Sequence, residues 1–118
     1  MANASIFRIA LGIHMGMSAT NIRDSKSWFD VLETAKQCQT AVMTLAPGEE
    51  SGPKQNEHPL SEQVLYVVEG ELEAEIGERR LTMRAGDSVI VGTQTPHRFS
   101  NRSERPALTF NVYSPPAY

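Results

Sequence analysis

The sequence predicts an all-β domain, and three observations carry that prediction. From Thr40 onward the chain is a series of short apolar runs separated by turn residues. Two of those runs, Glu71-Leu72-Glu73-Ala74-Glu75-Ile76 and Arg80-Leu81-Thr82-Met83-Arg84, alternate with the period of two that a half-buried strand requires. Helical periodicity is poor: only residues 25–37 offer a stretch that could wind briefly. A length of 118 residues suits one domain and leaves no room for a second.

The segments follow in order. Residues 1–39 read as an N-terminal strand extension with edge strands, and residues 40–118 as the main β domain. Phe7, Ile9, Leu11 and Ile13 alternate with smaller or polar residues. That segment is either a tag-like tail or a strand added to a sheet edge, this chain's or a partner's. Met15 and Met17 are alternative starts. Trp28 and Phe29 read as the hydrophobic anchor of an N-terminal strand, and Cys38 as a buried strand residue. Pro47-Gly48, Gly52-Pro53, Glu69-Gly70, Gly77-Glu78, Ala85-Gly86-Asp87 and residues 101–106 punctuate the rest.

Turn chemistry sets two registers. A two-residue turn at Gly77-Glu78, glycine first, places Glu75 opposite Arg80, Glu71 opposite Arg84 and Leu72 opposite Met83. Opposite charges then pair on the wet face and apolar groups on the dry one. A tight turn at Glu69-Gly70 places Val67 opposite Leu72, Leu65 opposite Ala74 and Gln63 opposite Ile76. Gln63 then points inward beside Leu65 and Val67. A buried amide left unpaired costs roughly 1–3 kcal/mol, so it needs a metal, a ligand or a water. The nine glutamates between Glu49 and Glu78 read mostly as a solvated face.

Composition narrows the partners. A formal net charge of −3 argues against nucleic acid, which attracts basic stripes. The apolar stretch at residues 6–13 contains Arg8 and is too short to span a bilayer, so no membrane partner is expected. One cysteine allows no internal disulfide, and the expected setting is the reducing cytoplasm.

The chemistry gathers around two of the three histidines, His14, His58 and His97. His58 and His97 each sit at the threshold of a strand, in the spacings Asn56-x-His58-x4-Gln63-x6-Gly70 and Gly86-x5-Gly92-x-Gln94-x2-His97-x3-Asn101. These resemble the paired motifs of the cupin superfamily, G-x5-H-x-H-x3/4-E-x6-G and G-x5-P-x-G-x2-H-x3-N. The resemblance covers Thr40 to Tyr118 and implies a double-stranded β-helix, the jelly-roll barrel, here with its N-terminal strand extension. It also implies that small cupins pair as homodimers.

In that family the motif side chains hold a divalent transition metal. The resemblance therefore names His58, Gln63 and His97 as metal ligands, with Asn56 at the first-histidine position. Zinc, nickel, manganese or iron is the implied cofactor. Gln63 matches a family variant that coordinates through its carbonyl oxygen and adds no charge. Asn56 is a poorer ligand than imidazole, so a metal centre and a metal-free polar pocket both stand as readings.

Glu62-Gln63 and the tail Phe110-Asn111-Val112-Tyr113-Ser114-Pro115-Pro116 resemble more closely the single-domain cupins of pectin breakdown, which act on unsaturated uronates and promote their opening to the keto form. The implied pocket adds Asn111 and Tyr113. Those relatives carry an aspartate at the Asn111 position and an arginine after the prolines, where this chain has Ala117-Tyr118. The first change removes a general base and the second a carboxylate clamp. Three functions follow: a metal-assisted enzyme on a small carbohydrate or keto/uronic acid, a non-catalytic barrel that binds a small sugar or acid, and, fitting least, a metal-dependent dioxygenase. No residue is assigned a catalytic role.

Overall fold

Alternating burial lets two sheets share one core in this protein. The computed structural model describes residues 18–118. The alternating segment at 7–13, His14, Met15 and Met17 lie outside the described residues. A 3-10 turn at Ile22–Asp24 precedes eight strands: β1 (Phe29–Thr34), β2 (Gln39–Leu45), β3 (Glu62–Glu69), β4 (Glu71–Ile76), β5 (Arg79–Arg84), β6 (Ser88–Val91), β7 (His97–Ser100) and β8 (Ala107–Ser114). They form a five-stranded sheet, β1-β2-β8-β3-β6, and a three-stranded sheet, β5-β4-β7. All ladder pairs are antiparallel. Met43, Leu45, Leu65, Val67 and Val91 of the large sheet meet Leu72, Ala74, Ile76, Met83 and Phe99 of the small one. The all-β expectation stands.

The β4–β5 hairpin has the register its turn dictates, with Glu75 opposite Arg80, Leu72 opposite Met83 and Glu71 opposite Arg84. Gly77 takes the positive φ, +57°, that opens such a turn. The second hairpin is overturned: β3 pairs with β6 and β8, while β4 pairs with β5 and β7. At Glu69-Gly70 the chain crosses from one sheet to the other. Gly70 has φ +86°, and a Cβ there would lie 2.5 Å from the Pro106 carbonyl oxygen. A hairpin and a crossover both leave Leu65, Val67, Leu72 and Ala74 facing one core, so the apolar pattern cannot separate them. Gln63 is nevertheless buried on the same face as Leu65 and Val67.

Residues 25–37 form strand β1 and its flanks, with no α-helix. The Asp30 carboxylate accepts from the hydroxyls of Ser25 and Ser27 and from the backbone N–H groups of Lys26 and Ser27. These local bonds compete with helix and hold the chain in a loop before an edge strand. Trp28 is about half exposed, and only Phe29 packs against the core. Cys38 is exposed between β1 and β2 and is not a buried strand residue, because the buried face of β2 begins at Gln39.

Glu75 is also an exception to the solvated face. It is buried and meets Arg98 at 2.9 Å and Arg80 at 3.5 Å, and Arg98 also reaches Glu50 at 3.7 Å. Its carboxyl is held below the usual range, first by the Arg98 hydrogen bond and then by the charges of Arg98, Arg80 and Lys54, against burial. A depressed folded-state pKa contributes stability above the ordinary glutamate value, about 4.3, that is lost as pH falls through the folded value. Acid unfolding of Glu75→Gln should therefore be shallower below pH 4.3 than that of the wild type. Parallel acid-unfolding profiles would remove Glu75 from the acid response.

Candidate binding site

Short backbone bonds bring the two histidines together. Gln55 and His97 exchange N–H···O=C bonds of 3.4 and 3.1 Å, laying the segment before His58 across the start of β7. The Gln94 N–H donates to the Pro59 carbonyl, and Ser61 Oγ donates to the Pro115 carbonyl at 2.6 Å. The His58 and His97 rings consequently stand 4.6 Å apart between centroids, tilted by 44°. Gln94 precedes His97 with φ +60°, the left-handed region that L side chains enter at a cost.

Each ring has its tautomer set by what it meets. His97 Nδ1 lies 2.9 Å from the Thr95 carbonyl oxygen, an acceptor only, so Nδ1 carries the proton and Nε2 a lone pair. His58 Nε2 lies 3.0 Å from Gln63 Oε1, also an acceptor only, so here Nε2 carries the proton. His58 Nδ1 is buried and without a hydrogen-bond partner. Burial, and secondarily the neighbouring His58, pushes the His97 pKa below its ordinary value, although the Thr95 bond and Glu57 oppose this. Near pH 7 His97 is thus neutral and an acceptor.

Behind the rings runs a buried polar file. Gln63 Nε2 donates to Asn111 Oδ1 at 2.8 Å, Asn111 Nδ2 to Thr109 Oγ1 at 3.0 Å, and Thr109 Oγ1 to the Met43 carbonyl at 3.1 Å. Around the rings stand aromatic groups. Tyr113 meets His58 edge-on at 5.1 Å, Tyr118 meets Tyr113 at 5.2 Å, and Phe29 meets Tyr118 at 5.0 Å. Burial raises the hydroxyl pKa of both tyrosines, so both stay protonated. Tyr118 is held by buried Gln39. Gln39 Oε1 accepts from the N–H groups of Ala117 and Tyr118, and its Nε2 donates to Thr34 Oγ1 and the Tyr118 carbonyl.

These groups line a half-open cavity of about 150 Å³. That is the size class of an apolar cavity that holds one six-membered ring. Its lining includes Glu57 and, among the described residues, no lysine or arginine.

The cupin domain family matches this chain over residues 41–113. The chain is a cupin. It is 33% identical over 71 residues to the polyketide synthase CurC of Streptomyces cyaneus, an alignment that covers 60% of this chain and 45% of that protein. The chain thus spans less than half the length of that relative. The solved structure of BH2720 from Bacillus halodurans superposes with a TM-score of 0.77 at 23% identity, covering 87% of this cupin and 84% of the other chain. KdgF from a Halomonas species gives 0.67 at 22% identity, over 75% and 77%. These likenesses show the fold.

Cupins commonly bind divalent metals, so the donors must be weighed. Zinc and its neighbours take three or more nitrogen, sulfur or carboxylate ligands in a closed geometry. In this cupin Gln63 Oε1 already accepts the His58 N–H, and Asn56 Nδ2 faces Gln94 Oε1 at 3.4 Å, away from the cavity wall. No group of three His, Cys, Asp or Glu gathers among the described residues. The candidate donors are two imidazoles and neutral amides without a carboxylate, a set that holds a divalent cation less firmly than three histidines and an acid.

The structure places His58, Gln63, His97 and Tyr113 on the cavity wall and leaves Asn56 off it. Asn111 is fully buried one layer back and touches the cavity only through Gln63. Strand-like alternation points Glu57 away, yet it lines the cavity, because residues 55–58 are not a continuous strand. Sequence reasoning also missed Tyr118, Phe29 and Gln39. The tyrosine where related tails carry arginine was the signal available for the first.

Proposed function

We propose that this cupin binds a small, neutral, ring-sized molecule of the carbohydrate or keto-compound class in the His58–His97 cavity, without a metal. The observation that carries the reading is the charge of the wall. His97 offers a lone pair at Nε2, the charged lining group is the Glu57 carboxylate, and no lysine or arginine faces it among the described residues. A uronate carboxylate would meet a like charge with no counter-ion, whereas hydroxyl groups would meet acceptors. The mostly apolar surround with a few convergent polar groups suits such a ligand. The second reading, metal-assisted opening of an unsaturated uronate, draws on the resemblance to the pectin-related cupins, but here an amide at Asn111 replaces the family's acid.

Two assays separate these readings. A thermal-shift screen should show stabilisation by neutral sugars or hydroxyketones that exceeds stabilisation by the matched uronic acids. The absorbance of unsaturated uronate should stay constant with protein present, with or without zinc, nickel or manganese. Robust metal-dependent loss of that absorbance would overturn the metal-free reading. The cytoplasmic setting and the homodimer belong to the same proposal. Supporting the dimer, Val64 and Ile90 pair across β3 and β6 and are exposed beside Tyr66 on the large sheet. Light scattering checks that state.

A further inference from the structure

We infer that Tyr118, held in place by the buried amide of Gln39, closes one side of the cavity and limits its ligand to a single ring. This rests on the proposed reading of the cavity as a small-molecule site, and adds what fixes the size of the molecule taken.

Gln39 is the first residue of β2 and lies opposite Tyr113 of β8. Its side chain is fully buried, and a buried amide must find its hydrogen-bond partners inside the protein. Three of its four bonds go to two residues far away in sequence. Oε1 accepts from the N–H groups of Ala117 and Tyr118, each at 3.0 Å, and Nε2 donates to the Tyr118 carbonyl at 2.9 Å. The fourth goes to Thr34 Oγ1. Upstream, Ser114 Oγ donates to the Gln37 carbonyl at 2.7 Å, and the Pro115 carbonyl accepts from Ser61 Oγ. Residues 114 to 118 are therefore pinned along their length, and Gln39 fixes 117 and 118.

That backbone placement decides where the ring goes. The Tyr118 ring packs against both Phe29 and Tyr113, 5.0 and 5.2 Å between centroids, and all three residues line the cavity. Phe29 and Tyr113 come from β1 and β8, which β2 separates in the large sheet, and Tyr118 bridges them. With that bridge in place the cavity has room for one six-membered ring. Tyr118 is also 54% exposed and stands outside the apolar core cluster. It is thus a wall between cavity and solvent, and removing it lengthens the cavity while leaving the core intact. Tyr118 is a specificity-determining residue, and Gln39 is a positioning residue that acts through it.

The test uses the full chain and two probes, cyclohexanol and decahydro-2-naphthol, which carry one hydroxyl on one ring and on two fused rings. Binding is read from the emission of Trp28, the one tryptophan of the sequence and part of the cavity wall, and from thermal shift. The wild type should bind cyclohexanol and take the two-ring probe about tenfold more weakly or worse, because a single surplus methylene already costs that much in a fitted apolar pocket. Tyr118→Ala should bind the two-ring probe about tenfold more tightly than the wild type does, and deletion of Ala117 and Tyr118 should repeat that gain. Tyr118→Phe keeps the ring and should keep the wild-type preference.

Gln39→Met keeps the side-chain volume but offers nothing to the two N–H groups. It should shift the preference in the direction of Tyr118→Ala and speed amide exchange at Ala117 and Tyr118 only; a merely structural role would speed exchange throughout the sheet. The same two amides should be protected in the ligand-free wild type, and free exchange there would overturn the clamp even if Gln39→Met fails to fold. Equal binding of both probes by the wild type would overturn the size limit. A Tyr118→Ala protein that binds cyclohexanol but gains nothing for the two-ring probe would overturn the inference and leave the cavity reading standing. Silence toward both probes in the wild type and in Tyr118→Ala would overturn the two together.

Discussion

Phe99→Ala should destabilise the protein by about 3–5 kcal/mol. Phe99 is the largest of the fully buried side chains, 1% exposed, and packs from β7 into the core shared by both sheets. Its ring also lies 6.0 Å from that of His97 and lines the candidate pocket, so truncation leaves a void that opens into that pocket. A rigid barrel collapses poorly into such a void, and so the upper part of the range is expected. For a domain whose whole stability is of order 5–15 kcal/mol, this is a large fraction. Equilibrium denaturation in urea gives the difference. A loss under about 1.5 kcal/mol would mean that the neighbours close over the gap and that the two sheets are less firmly spaced than described.

Gly70→Ala should cost roughly 2–5 kcal/mol although it adds a single methyl group. Two effects combine: about 1–2 kcal/mol for an L side chain at positive φ, and about 1–3 kcal/mol for overpacking. The new Cβ would sit 2.5 Å from the Pro106 carbonyl oxygen and 2.9 Å from Ala107 Cα, both backbone atoms that cannot rotate away. Gly86, with φ +98° and open space around it, serves as the control. Gly86→Ala meets only the conformational cost, so the difference in denaturation midpoint between the two variants isolates the close approach. Equal losses would show that the junction between the sheets can slide to make room.

The contrast between these glycines explains much of what could be read in advance. Local pattern carried the β4–β5 hairpin, because alternation, opposite charges and a glycine-led turn all specify one register. The same logic failed at Gly70, where a crossover and a hairpin present identical inward faces and the deciding contact, with Pro106, lies 36 residues away in sequence. The candidate site divides in the same way. His58, Gln63 and His97 were legible from spacing. That Asn111 stands behind Gln63 was not, since period two tells which face a residue takes and not how deep a polar file runs. Glu57 was misplaced because alternation was extended beyond the strand. Tyr118 stood out in the tail, but its place on the wall did not, because Gln39, which holds it, lies 79 residues away.

The cavity also lies across a seam. His97 opens β7 in the small sheet, while Gln63 and Tyr113 belong to β3 and β8 in the large one. Strand β7 is an edge, with β4 as its neighbour within the sheet. A molecule seated between these side chains therefore acts as a rivet, fastening a strand of the small sheet to the interior of the large one. Occupancy would be felt as slower amide exchange along β7, so that the shell's own breathing becomes the gauge of what it holds.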